Sequence, residues 1–262
     1  MKILTIYDGT LQSKTALTYG IGKVRERGGE LIVLQVFQSS LFVDYDAGPM
    51  AEERARAEAK QLEKEAVNII AESGPDVRVR MVTEEGDPEE EILRLAANEQ
   101  ADLILAIPRY RSIIRSAPCP VHVIPGTILL PVDNSDRLMA DLDYIVREAK
   151  ATASKIALLG VVPIHLYGVE EKKELELVRK GTEAEVEKIQ KILQKQGIEV
   201  TRTIRSGYPD EEILKAAEEY SVSLIMLPEG GKTPSELAKA AVILLDEPRR
   251  TRLPVLFLPD AI

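Results

Sequence analysis

Two aspartates and one glycine–lysine turn are the residues of this sequence best suited to hold a ligand. Asp8 ends the apolar run 3–7, and Asp133 ends a matching run that starts at Ile128. Each carboxylate therefore stands where a buried strand gives way to a loop. There it can accept bonds from a ribose hydroxyl, or it can cap the next helix and brace the turn. Both readings fit. Further along, an apolar run leads into Pro228-Glu229-Gly230-Gly231-Lys232-Thr233 and then into a helical pattern. Gly230 and Gly231 permit close backbone approach, Lys232 brings positive charge, and Thr233 opens a helix whose free N–H groups favour an anion. The alternative is structural: Gly-Gly makes the bend, Thr233 caps, Pro234 takes the first helical position and Glu236 completes a capping box. A full phosphate loop, G-x-x-x-x-G-K-[ST], needs glycine where Met226 stands.

The remaining reactive side chains are few and scattered. Arg109, Arg111 and Arg115 form a basic stretch, as do Arg249, Arg250 and Arg252. Either could grip a phosphate or an acidic partner by paired hydrogen bonds, but the preferred reading of both is a solvated basic loop. His122 lies in a strand-like run and reads as a packed or interface residue. His165 follows a strand with no carboxylate or cysteine near it in sequence. Cys119, between Pro118 and Pro120, reads as an inert thiol. No Ser-His-Asp order, HExxH or paired-carboxylate spacing occurs. We therefore assign no catalytic residue and no metal ligand. Acidic runs such as Glu89 to Glu91 read as solvated helix faces.

Composition narrows the classes further. The 262 residues carry 34 Lys and Arg against 43 Asp and Glu, a net charge of −9. Phosphate neutralisation needs a basic face, so the acidic balance argues against a dedicated nucleic-acid binder and against docking on an anionic membrane. Trp is absent and aromatics are only 4%, too few for a base-stacking platform. One cysteine excludes an internal disulfide and a Cys-rich zinc site, and points with the lack of a signal peptide or long apolar run to the cytoplasm.

The sequence repeats once, at about half its length. Residues 2–10 read KILTIYDGT and residues 127–135 read TILLPVDNS, an offset of 125. Residues 86–107 and 207–228 share 9 of 22 positions at an offset of 121. The ends also match, CPVHVIPG at 119–126 and LPVLFLPD at 253–260, offset by 134. Repeat one thus spans 1–126 and repeat two 127–262. In each, strand-length apolar runs alternate with helical patterns, the signature of βαβ units around a parallel sheet. For repeat one the strands are expected near 3–7, 31–37, 77–82, 103–107 and 121–124, with helices at 13–27, 50–73 and 88–99. For repeat two the helices are expected near 137–153, 170–196, 209–220 and 234–246. The last has no counterpart in repeat one, where only residues 108–118 join the final strands. Those two strands are therefore expected to be related differently from the rest, with the direction of the fifth left open.

These features resemble the universal stress protein family in tandem form. The residues that carry the resemblance are the strand-ending Asp8-Gly9-Thr10 and Asp133-Asn134-Ser135, and the helix starts from Gly86 to Ile92 and from Gly207 to Ile213. The ADLIL strand at 101–105 and the A-P-C-P-V ending from Ala117 add to it. The resemblance implies two flavodoxin-like, Rossmann-like α/β domains, each a five-stranded mainly parallel sheet of order 3-2-1-4-5, the first without its fourth helix. It implies stress response or regulation through protein partners, and a homodimer or an internal pair of repeats. Some members bind ATP or AMP through G-x2-G-x9-G-[ST] after strand four. Repeat one has no glycine there, and repeat two has only Gly230 and Gly231. The main reading is a regulator without a cofactor. The alternative is an ATP, AMP or phosphate site in repeat two built on Asp133, Gly230, Gly231, Lys232 and Thr233, with Asp8 as the matching residue of repeat one. A nucleotide hydrolase ranks last.

Overall fold

The computed structural model describes all residues except 38–47, 133–136, 169, 229–239, 241–253 and 259–262. The chain divides into two compact units, Met1–Pro125 and Gly126–Ile262.

In the first unit the elements are β1 (Lys2–Ile6), α1 (Leu11–Arg27), β2 (Glu30–Phe37), α2 (Gly48–Ser73), β3 (Val79–Glu85), α3 (Pro88–Glu99), β4 (Leu103–Ala106), a 3-10 helix (Pro108–Arg115) and β5 (Val121–Val123). The strands form one sheet of order β3-β2-β1-β4-β5. Its central strands are mostly apolar and mostly buried, as strands covered on both faces are, with Thr5 and Gln35 among the buried residues. Leu31 and Leu105 sit under Gly20 of α1, whose missing side chain lets the helix approach them.

The second unit repeats the plan with β6 (Thr127–Val132), α4 (Arg137–Ala140), α5 (Leu142–Ala151), β7 (Lys155–Val162), a 3-10 turn (Ile164–Leu166), α6 (Lys172–Lys195), β8 (Val200–Ser206), α7 (Pro209–Glu219), β9 (Leu224–Pro228) and β10 (Val255–Leu258). Its sheet order is β10-β9-β6-β7-β8. The registers reproduce the sequence repeat pair by pair. Ile3 lies opposite Leu31 and Leu103, and Ile128 lies opposite Ile156 and Leu224. Ile104 pairs with Val121 as Ile225 pairs with Val255. The same offsets of 125, 121 and 134 therefore hold in space. Thr182 and Val186 of α6 close over Gly160 of β7, where a methyl group would come within 2.7 Å of Thr182.

Three expectations need correction. β5 runs parallel to β4, so the final strands of repeat one are related like the others. The connector, residues 107–120, is long enough to return: its 3-10 stretch rises about 2 Å per residue, so eight residues span the short β4. The helix expected over 137–153 is broken at Asp141, which stands between α4 and α5. β3 begins at Val79 and continues to Glu85, past the apolar run, because its polar residues pair with β2 at the sheet edge. The helix expected at 234–246 lies outside the described residues.

Candidate functional site

A 3-2-1-4-5 sheet places its ligand crevice beyond the carboxyl ends of the first and fourth strands, where the connections diverge. In repeat one this is the space between β1 and β4. Gly9 makes the turn out of β1 at φ +78, a conformation that disfavours side chains, and a methyl group there would strike Leu62. That turn presents Asp8. One carboxylate oxygen, Oδ1, accepts from the Thr10 backbone N–H at 3.1 Å and from Thr10 Oγ1 at 2.6 Å. The backbone N–H of Asp8 donates to Ser13 Oγ at 3.3 Å. Thr10 is the N-cap of α1. Asp8 thus braces the strand-to-helix turn, as the structural reading of the sequence has it.

The other oxygen, Oδ2, meets Arg109 Nη1 at 3.3 Å. The two side chains are 18% and 63% exposed in the order Asp8, Arg109. Burial alone would raise the Asp8 pKa, but the bonds from Thr10, Ser13 and Arg109 outweigh it and hold the carboxyl below its ordinary value. A pair this exposed contributes about 0–1 kcal/mol to stability. Its consequence is occupancy, because the carboxylate that faces the crevice already has a cationic partner.

The β4 side is closed as well. Pro108 has no N–H to offer, and the amides of Tyr110, Ser116 and Ala117 donate to the carbonyls of Ile107, Ile113 and Ile113 in turn. Tyr110 is buried, and the Arg109 guanidinium lies 5.2 Å from its ring centre. Ser112 Oγ donates to the Glu89 carboxylate. A phosphate cradle needs free N–H groups that converge on one point; this connector instead folds back on itself. On the α2 side, Tyr7 donates to Glu65 at 3.5 Å, and burial followed by the Glu65 charge pushes the phenol up to about 12.

In repeat two the corresponding strands, β6 and β9, also lie side by side. The candidate residues Asp133, Gly230, Gly231, Lys232 and Thr233 lie outside the described residues, as do Arg249, Arg250 and Arg252. The structure therefore brings together Asp8 and Arg109, which the sequence treated separately. The strand order implied by the resemblance contained the signal: it sets the ends of β1 and β4 next to each other.

The other reactive side chains have structural surroundings. His122 is fully buried on β5 against the edge of Tyr19, 5.4 Å between ring centres. Burial, aided by the Lys23 charge, pulls its pKa down to about 3. Cys119 is half-buried, and burial pushes its thiol up to about 11, away from the reactive thiolate. His165 has a partner that the sequence did not reveal: its ring stacks on Tyr208 at 4.4 Å. Among the described residues no group of three or more His, Cys, Asp and Glu could hold a metal ion. No described helix is long and apolar enough to cross a membrane.

Two parallel five-stranded sheets of this order define a tandem Rossmann-like α/β protein. A model of the universal stress protein family matches residues 1–109 and 126–240, and the chain belongs to that family. Among solved structures, a universal stress protein from Archaeoglobus fulgidus is similar over 99% of this chain and 96% of its own, at 20% identity and a TM-score of 0.44. A universal stress protein from Lactobacillus plantarum is similar over 47% of this chain and 97% of its own, at 22% identity and a TM-score of 0.42. A family member from Arabidopsis thaliana, solved with AMP bound, covers 47% of this chain and 90% of its own, at 18% identity and a TM-score of 0.38. No curated protein matches the chain.

Proposed function

We propose that this universal stress protein is a non-catalytic regulator that acts through protein partners in the cytoplasm, without strong ATP binding. The observation that carries this reading is the state of the repeat-one crevice. Arg109 engages Asp8, and the connector after β4 starts with proline and turns amides onto its own carbonyls. A nucleotide there would have to break that ion pair and find phosphate donors elsewhere. Calorimetric titration of the full chain with ATP and with AMP tests the reading. No saturable heat is expected in the micromolar range, and micromolar affinity would overturn it.

The adjacency of β6 and β9 favours one alternative: an ATP, AMP or phosphate site in repeat two, using Asp133, Gly230, Gly231, Lys232 and Thr233. If the titration shows binding, Lys232→Ala and Asp133→Ala are expected to weaken it. Unchanged affinity in both would remove that assignment.

A further inference from the structure

Beyond the carboxyl ends of β7 and β8, the second sheet carries exposed apolar and aromatic side chains. β7 and β8 pair to their ends, with Val162 opposite Ser206, so the segments that follow them leave the sheet side by side. After β7, Ile164 is 44% and Leu166 52% exposed. After β8, Tyr208 is 53% exposed, and its ring stacks on His165 with an interplanar angle of 20°. Single exposed apolar side chains need no explanation, but a group of them held around a stacked pair marks an interaction surface.

The internal repeat supplies a comparison. Tyr208 occupies the position of Asp87, immediately before the proline that opens the next helix. Asp87 caps α3 by accepting from the Glu89 and Glu90 amides. Tyr208 makes no side-chain cap bond to α7. Repeat two gives up a helix cap at this point and gains an exposed ring.

The net charge of the flanking segments is negative. Glu170, Glu171 and Glu174 are exposed after β7, with Lys172 and Lys173 among them; in the first turn of α7 Asp210, Glu211 and Glu212 follow Tyr208, where Lys215 pairs with Glu211 and Glu212 and Arg205 with Glu212. Such a rim repels anionic lipid and nucleic acid and attracts cationic peptide.

We infer that Ile164, Leu166 and Tyr208 form a docking surface for a basic amphipathic segment of a partner protein. Its apolar side chains seat on these three residues, and its Lys or Arg side chains meet Glu170, Glu171 and Glu174. The inference rests on the reading that the protein works through partners, and it names the chemistry of one partner. Tyrosine suits the role, since it gives a large contact area with little side-chain entropy to lose.

The test uses the full chain and a labelled helical peptide of leucine and lysine, about 18 residues long, read by fluorescence anisotropy. Saturable binding that weakens with salt is expected. Tyr208→Asp places the residue type of repeat one here, so it offers α7 a side-chain cap while removing the ring; it is expected to weaken binding about tenfold, as is Leu166→Ser. A matched peptide with glutamate for lysine is expected not to bind. The inference is overturned by absence of saturable binding, by equal binding of the glutamate peptide, or by affinity unchanged in both variants. It is also overturned if neutral lipid vesicles sediment the native chain but not Tyr208→Asp, which would make the surface a lipid contact. Nucleotide titration decides the broader reading separately: a failed peptide experiment without nucleotide binding removes this surface and leaves the regulatory reading in place.

Discussion

Arg109, three residues beyond β4, reaches the Asp8 carboxylate at the end of β1 with a guanidinium nitrogen 3.3 Å away, across 101 residues of sequence. The two halves of this contact differ in weight. Asp8 also takes both donors of Thr10 at the α1 turn, whereas Arg109 is mostly exposed. Asp8→Ala is therefore expected to cost about 1–2 kcal/mol and Arg109→Ala under about 1 kcal/mol. Urea denaturation of the two variants and the double variant checks this, with a coupling below about 1 kcal/mol expected for the pair. A larger coupling would mean that the ion pair is a main stabiliser of repeat one.

His122 gives the protein a particular acid sensitivity. In the unfolded chain its imidazole takes a proton near pH 6.5. In the folded chain it stays neutral until about pH 3. Between these values the unfolded state binds the extra proton, so falling pH favours unfolding, and stability rises again with pH toward 6.5. The slope from this one residue is at most about 1.4 kcal/mol per pH unit. His122→Phe keeps an aromatic edge against Tyr19 and cannot titrate, so its stability is expected to depend less on pH between 4 and 6.5. Urea titrations at several pH values measure the difference; parallel curves for variant and native chain would show that His122 is accessible to protons when folded.

The two capping positions are expected to respond in opposite directions. Asp87→Ala removes the bonds to the Glu89 and Glu90 amides and should lower the stability of the first unit by about 1 kcal/mol. Tyr208→Asp adds a cap where none exists and should raise that of the second by about 0.5–1 kcal/mol. Thermal unfolding followed by calorimetry reads both. A destabilising Tyr208→Asp would mean that the stack with His165 contributes more than the cap.

Much of this architecture is legible in the sequence because it depends on local patterns. Asp87-Pro88 followed by three glutamates specifies the start of α3, and that helix runs over Pro88–Glu99 as expected. Apolar runs specify the central strands because those strands are buried on both faces. The misreadings arise where tertiary contact decides. β3 extends through Thr83, Glu84 and Glu85, which join the sheet by pairing with β2 rather than by their own apolarity. The direction of β5 depends on how the glycine-free connector returns, and no local signal encodes that. In the candidate site Asp8 is legible as the end of a strand, but its engagement by Arg109 follows only from the strand order. The stack of His165 on Tyr208 joins residues after different strands and leaves no trace in spacing.

The compact connector after β4 also bears on how the two halves assemble. Ile104 pairs with Val121 across 17 residues of sequence, while the equivalent pair, Ile225 and Val255, spans 30. Closing the shorter loop loses less chain entropy, by about 0.5 kcal/mol on the logarithmic dependence of closure on length. Adding the last strand is correspondingly easier in repeat one, which biases it to complete its sheet sooner. The same shortening that leaves no glycine-lined phosphate loop also gives repeat one the shorter path to its folded sheet.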